Sequence, residues 1–140
     1  MPDKDILIAK IGTIKRCLNR IKIVTELNPD KIDDYDKQDV FVLNLQRTVQ
    51  ACIDIANHII AEDGLGVPDS IRQSFEILCE NKIIDFEILD KMKKMVSFRN
   101  ICVHEYRELD INILKSILKN NLTDIELYYK NIAAKFLTNE

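Results

Sequence analysis

The chain has 140 residues, 46% hydrophobic and 31% charged, which suits one globular domain that folds without a metal or a disulfide. A net charge of −3 excludes a protein that coats nucleic acid over its whole surface, since such a protein would be basic throughout. Three Gly and three Pro are too few turn formers for a many-stranded β-sandwich, so long helices are expected.

Leu7, Ile11, Ile14, Leu18 and Ile21 step by four and three, which predicts a helix over residues 5–27. Asn28-Pro29-Asp30 should end it, because proline cannot continue a helix and biases its predecessor away from one. Residues 30–36 are acidic and read as a loop.

A second helix is expected from about Lys37 to Ala61. Phe41, Leu45, Thr48, Cys52, Ile55 and Ile59 form its apolar stripe, and Val42, Val49 and Ala56 widen it. Gln46, Gln50, Asp54 and His58 recur every four residues along another face, with Arg47 at its border. That polar stripe is either a solvated face or the wall of a cleft. In a cleft, Asp54 is best suited to orient a positive group, whereas His58 reads as structural or cleft-lining.

"EDGLGVPDS" (62–70) is the clearest loop. Ser70 with Gln73 makes a capping-box pattern, and Ile71, Phe75 and Leu78 follow as a short helix. A fourth helix should begin near Asp85, with Phe86, Leu89, Met92 and Val96 inward. Asp110 can cap a fifth helix whose core side is Leu114, Ile117, Leu118, Ile125, Tyr128, Ile132 and Phe136. The expected fold is all-α: an up-and-down bundle of four long helices plus one short helix, formed by residues 1–140 as a single domain.

Cys17, Cys52, Cys79 and Cys102 show no C-x-x-C spacing and each falls in an apolar helical pattern. They read as small buried hydrophobes of a reducing compartment; no metal site and no cofactor are expected. The N-terminus is charged and amphipathic, unlike a signal peptide, and no apolar run reaches membrane-spanning length. A cytoplasmic protein is expected.

Polar chemistry concentrates in "SFRNICVHEY" (97–106), at the end of the fourth helix. Residues 91–107 hold Lys91, Lys93, Lys94, Arg99 and Arg107 against one acid, Glu105, so an acidic chain turns basic there. The bland reading is a solvated lysine face. The functional reading starts from His104, one of two histidines, which can exchange a proton near neutral pH. Arg99 keeps its charge and can grip phosphate oxygens with a planar fork. Together they suit metal-free attack of a ribose 2′-OH on the adjacent phosphate. On an ideal helix, however, residues five apart point about 140° away from each other. For the two to act together, the helix must end or distort near His104, the arginine must curl round, or a second subunit must complete the site.

The stretch resembles the R-x4-6-H motif of the HEPN superfamily, and with Tyr106 the R-x4-H-x-Y form of HepT-like toxins. Residues 44–78 and 83–106 are similar to the flanking segments of those proteins. The resemblance implies a homodimer with the motifs near a cleft between subunits. It implies a metal-independent endoribonuclease, the toxin of a HEPN/MNT toxin–antitoxin pair, restrained by a partner nucleotidyltransferase of the minimal (MNT) type that transfers AMP to the motif tyrosine. Carried over, Arg99 and His104 are the catalytic pair, Asn100 is the polar residue beside the arginine, and Tyr106 receives AMP; Asp54, from the polar stripe, is expected to support them. Lys93, Lys94 and Arg107 are the expected contacts to RNA phosphates. The competing expectation is a non-catalytic subunit of a nucleotidyltransferase complex that binds nucleotide or partner.

Overall fold

The computed structural model describes residues 1–104 and 110–138. Among them it contains six α-helices and no strand: α1 (Lys4–Thr25), α2 (Tyr35–Asp63), α3 (Ile71–Glu80), α4 (Phe86–His104), α5 (Ile111–Asn120) and α6 (Leu122–Phe136). The all-α reading holds. No helix among the described residues is long and apolar enough to cross a membrane.

The first helix is capped by Asp3, whose carboxylate accepts from the Asp5 and Ile6 N–H groups at 2.9 and 3.4 Å. It stops two residues short of the expected 27. The Thr25 hydroxyl donates to the Ile21 carbonyl at 2.7 Å and accepts from the Leu27 N–H at 3.2 Å, while Glu26 and Leu27 turn into the left-handed region at φ 55° and 59°. The acidic segment expected as a loop is more ordered than its composition suggests. It forms a 3₁₀ turn over Pro29–Asp33 that buries Ile32 completely, and Asp34 then caps α2. One isoleucine in an acidic run is enough to anchor that turn to the core.

The second helix is the centre of the bundle. Its apolar arc is buried from Phe41 to Ile60, and it ends at Gly64, whose φ of 61° suits glycine. The first helix lies antiparallel against it: Asp3 meets His58 and Lys10 meets Asp54. The Ser70 hydroxyl caps α3, accepting from the Gln73 N–H at 3.1 Å, and the Gln73 side chain accepts from the Asp69 N–H, one residue before the cap.

The fourth helix departs from expectation in its rotation. Phe86 is 82% exposed and Leu89 only half-buried. The inward residues are Ile88, Met92, Met95, Val96, Phe98 and Cys102. The line 88–92–95–99–102, stepping by four and three, is the true core register, and it contains Arg99.

The expected long final helix is two helices. Asn121 ends α5, its N–H donating to the Ile117 carbonyl at 2.9 Å, and its side chain donates to Asp124 Oδ2 at 3.0 Å to start α6. Asparagine favours such local bonds over helix interiors, and the pair Asn120-Asn121 makes the break there. The predicted core side survives it: Leu114, Ile117, Leu118, Ile125, Tyr128 and Ile132 are buried, and Phe136 is half-buried.

Tyr128 ties α6 to the centre. Its fully buried hydroxyl donates to the Cys52 carbonyl at 2.9 Å, and its ring meets Phe75 edge-on with centroids 5.7 Å apart. Burial raises its pKa well above the phenol range, so the donor proton stays in place. Tyr128→Phe should cost roughly 1 kcal/mol by losing the hydroxyl, whereas Tyr128→Ala should cost about 3–5 kcal/mol by opening a cavity. Urea denaturation of both variants measures the difference.

Candidate active site

The unusual rotation of α4 sets the site. Arg99 continues the apolar line of Ile88, Met92 and Met95 but meets α2 where that helix turns polar. The residue is half-buried. Nη2 donates to Gln50 Oε1 and Nη1 to Asn100 Oδ1, both at 3.3 Å. Gln50 in turn donates from Nε2 to Asp54 Oδ1 at 2.9 Å, and Lys10 of α1 holds Asp54 Oδ2 at 2.9 Å. A polar chain therefore crosses three helices: Lys10, Asp54, Gln50, Arg99, Asn100.

This resolves the polar stripe of α2. Gln46, Gln50 and Asp54 face α4 and α1 and are not simply a solvated row. Gln46 stands beside the Cys102 thiol, one step along the α4 register from Arg99. Asp54 does orient a positive group, but that group is Lys10; Asp54 reaches Arg99 only through Gln50. His58 has a structural task, its Nε2 accepting the Asp3 N–H at 2.9 Å at the start of α1. That bond occupies the nitrogen lone pair a general base would need. Arg47, at the stripe's border, is exposed.

The fourth helix runs regularly through His104, which is exposed. Arg99 and His104 therefore project about 140° apart on one helix, and the arginine curls towards Gln50 on α2. An open groove between α4 and α5, of about 290 Å³ and lined by Lys94, Ser97, Phe98, Ile101, Ile113 and Asn121, lies on the far side of α4 from Arg99. Lys93 pairs with Glu76 at 3.3 Å and Lys94 with Asp90 at 3.2 Å; Lys91 pairs with Glu87 and Asp124 at 3.1 and 3.2 Å. The basic stretch is thus locally balanced by acids. The exposed pairs of Lys93 and Lys94 are worth about 0–1 kcal/mol, little enough for phosphate to replace the partner, whereas Lys91 is held by the buried Asp124. Tyr106 and Arg107 lie outside the described residues.

Two residues escaped the sequence reading in their roles: Gln50 as the direct partner of Arg99, and Lys10 as the partner of Asp54. A signal for them existed. Arg99 occupies the 88–92–95–99–102 register, and Lys10 occupies the register of Leu7, Ile14, Cys17 and Ile21, all buried. A cation in an apolar register needs a polar partner from a neighbouring helix.

The sequence pattern of the family described as Ribonuclease HepT-like matches residues 14–132. The chain belongs to the HepT-like ribonuclease family. An mRNA nuclease HepT of Shewanella oneidensis is 45% identical over 131 residues, covering 94% of this chain and 98% of that protein. A tRNA nuclease HepT of Aphanizomenon flos-aquae is 26% identical over 136 residues, covering 96% and 92% respectively. A solved structure of the tri-AMPylated Shewanella oneidensis HEPN toxin in complex with MNT antitoxin has a TM-score of 0.87 to this chain at 45% identity, covering 93% of this chain and 98% of that one.

Beside the arginine of this HepT-like chain, the Cys102 thiol is buried, and burial pushes its pKa from 9.0 up to about 11, against a smaller lowering by Gln46. The folded state therefore holds this proton more tightly than the unfolded chain does. Its contribution to stability is complete below pH 9.0, where the thiol is protonated in both states, and is lost as pH rises to about 11. Urea midpoints measured from pH 8 to 11 should fall less steeply for Cys102→Ala than for the unaltered chain.

Proposed function

We propose that this chain is the toxin of a HEPN/MNT toxin–antitoxin pair: a metal-independent endoribonuclease acting in the cytoplasm, with residues 1–140 forming one catalytic domain. Arg99 is the observation that carries the reading. A guanidinium set in a core register and held, among the described residues, by two neutral amide oxygens keeps its charge and part of its fork for an anion. RNA is the substrate class; the two named relatives act on mRNA and tRNA.

In this reading His104 removes the proton of a ribose 2′-OH. The freed oxygen attacks the adjacent phosphorus while Arg99 stabilises the charge growing on the phosphoryl oxygens. The bond to the 5′ oxygen breaks, and that oxygen takes a proton back from the imidazolium. The products are a 2′,3′-cyclic phosphate and a 5′-OH end. Asn100 steadies the guanidinium, Asp54 acts through Gln50, and Lys93, Lys94 and Arg107 follow the RNA backbone.

Because Arg99 and His104 diverge around a regular helix, the complete site draws Arg99 from one protomer and His104 from its partner in a homodimer. Purified protein with chelator should cut RNA to cyclic-phosphate ends and leave DNA intact, since DNA lacks the attacking hydroxyl. Arg99→Gln and His104→Ala should each lower cleavage on the order of a hundredfold or more. Mixing the two inactive variants and allowing subunits to exchange should restore about a quarter of the activity, because half the dimers then carry one intact site. No recovery after verified exchange would refute the shared site.

Silencing is assigned to an MNT-type nucleotidyltransferase that transfers AMP to Tyr106. The tyrosine lies two residues beyond His104, so an added phosphate would sit where substrate phosphate binds, and its charge would repel RNA. Tyr106→Phe should keep much of the nuclease activity and escape the partner's control. Incubation with the partner, Mg²⁺ and ATP, followed by peptide mass spectrometry, locates the added mass; its appearance elsewhere sinks the assignment.

A further inference from the structure

Arg99 meets two amide oxygens, yet a carboxylate lies close by. Asp54 sits one turn beyond Gln50 on the same face of α2, separated from the guanidinium by the breadth of a single amide. Half-buried opposite charges that near attract each other strongly. Both oxygens of Asp54 are already engaged, Oδ1 by Gln50 and Oδ2 by Lys10.

This arrangement has two physical effects. The first is orientation. An amide has a donor end and an acceptor end. With its NH₂ held on Asp54, Gln50 must turn its carbonyl to Arg99; reversed, it would press NH₂ against the guanidinium and oxygen against the carboxylate. The second effect is on charge. Lys10 neutralises Asp54 and removes its pull on Arg99. Without Lys10, a bidentate Arg99–Asp54 pair would satisfy both charges and consume the fork that grips phosphate.

We propose that Lys10 is a positioning residue for Arg99: by holding Asp54 it lets Gln50, and not the carboxylate, receive the guanidinium, and so keeps the arginine's charge available to RNA phosphate. This rests on the reading of Arg99 as the phosphate-stabilising group. Lys10 touches no substrate; it acts from α1 through Asp54 and Gln50.

The test compares Lys10→Met with Lys22→Met. Lys22 also leaves α1 to pair with another helix, reaching Glu126 at 3.2 Å with similar exposure, and serves as the control for simple loss of an ion pair. Cleavage is measured on single-stranded RNA, and binding on its uncleavable 2′-O-methyl analogue. K10M should lower kcat/KM about tenfold and reduce the slope of log affinity against log salt by about one phosphate contact. K22M should lose comparable thermal stability with neither change. The double variant K10M/D54N should bring the salt slope back towards that of the unaltered chain, because an amide at 54 can accept from Gln50 but cannot capture Arg99 as an ion pair. In an Arg99→Gln background, K10M should have no further effect. In ¹⁵N NMR spectra K10M should slow the rotation of the Arg99 Nη groups, as a carboxylate pair does. If R99Q is inactive while K10M keeps the wild-type slope and spectrum, the positioning role is overturned and the assignment of Arg99 stands. If R99Q cleaves normally, that assignment fails, and the Arg99 signal alone decides whether Lys10 holds Asp54 away: an unchanged signal overturns the proposal.

Discussion

Everything near the motif depends on one constraint: a permanently charged guanidinium stands in the apolar register of α4. Arginine cannot shed its proton to enter a core, so its surroundings must adapt. They adapt on α2, whose polar stripe of Gln50 and Asp54 stands beside Arg99. They adapt also on α1, where Lys10 interrupts the line of Leu7 and Ile14 to neutralise Asp54. Two helices thus carry a cation in a line their own periodicity marks as apolar, and the polar stripe of α2 links the two.

Such a chain of contacts needs rigid support. The antiparallel seam of α1 and α2 supplies it on one side, closed at its end by the His58 bond to Asp3 and by the N-terminal ammonium on Asp63 at 2.9 Å. Tyr128 and Phe75 supply it on the other, locking α6 and α3 to the middle of α2. The site therefore sits at the rim of a packed core, where an amide can be held to a fixed orientation while water still reaches the arginine.

Charge is handled locally along α4. Each lysine of the run 91–94 has an acid within reach, either one turn earlier or on α3 or α6. Arg99 differs in kind, because its oxygens come from amides. An exposed lysine–glutamate pair and a half-buried arginine–amide contact both look like satisfied hydrogen bonds. Among the described residues, only the second leaves the cation without an acid partner, so that its charge can act on an incoming phosphate.

Much of this was legible in the sequence. Four-and-three spacing of Leu7 to Ile21 and of Phe41 to Ile59 determined α1 and α2, because a helix of 3.6 residues per turn must bury such a stripe. Ser70 and Gln73 determined the start of α3, and Arg99, Asn100 and His104 stood out through their chemistry alone. What the sequence left open was rotation and partnership. The register of α4 was ambiguous because Phe86 and Leu89 offered a second apolar line, and only packing against α2, α3 and α6 chose between them. The split at Asn121 was hidden because Leu114 to Ile132 keep one apolar face across it. The choice of Gln50 for Arg99 and of Lys10 for Asp54 was the tertiary structure's alone. Residues 49 and 44 positions apart become neighbours only when helices dock, and periodicity within one helix carries no information about which side chain stands opposite on the next.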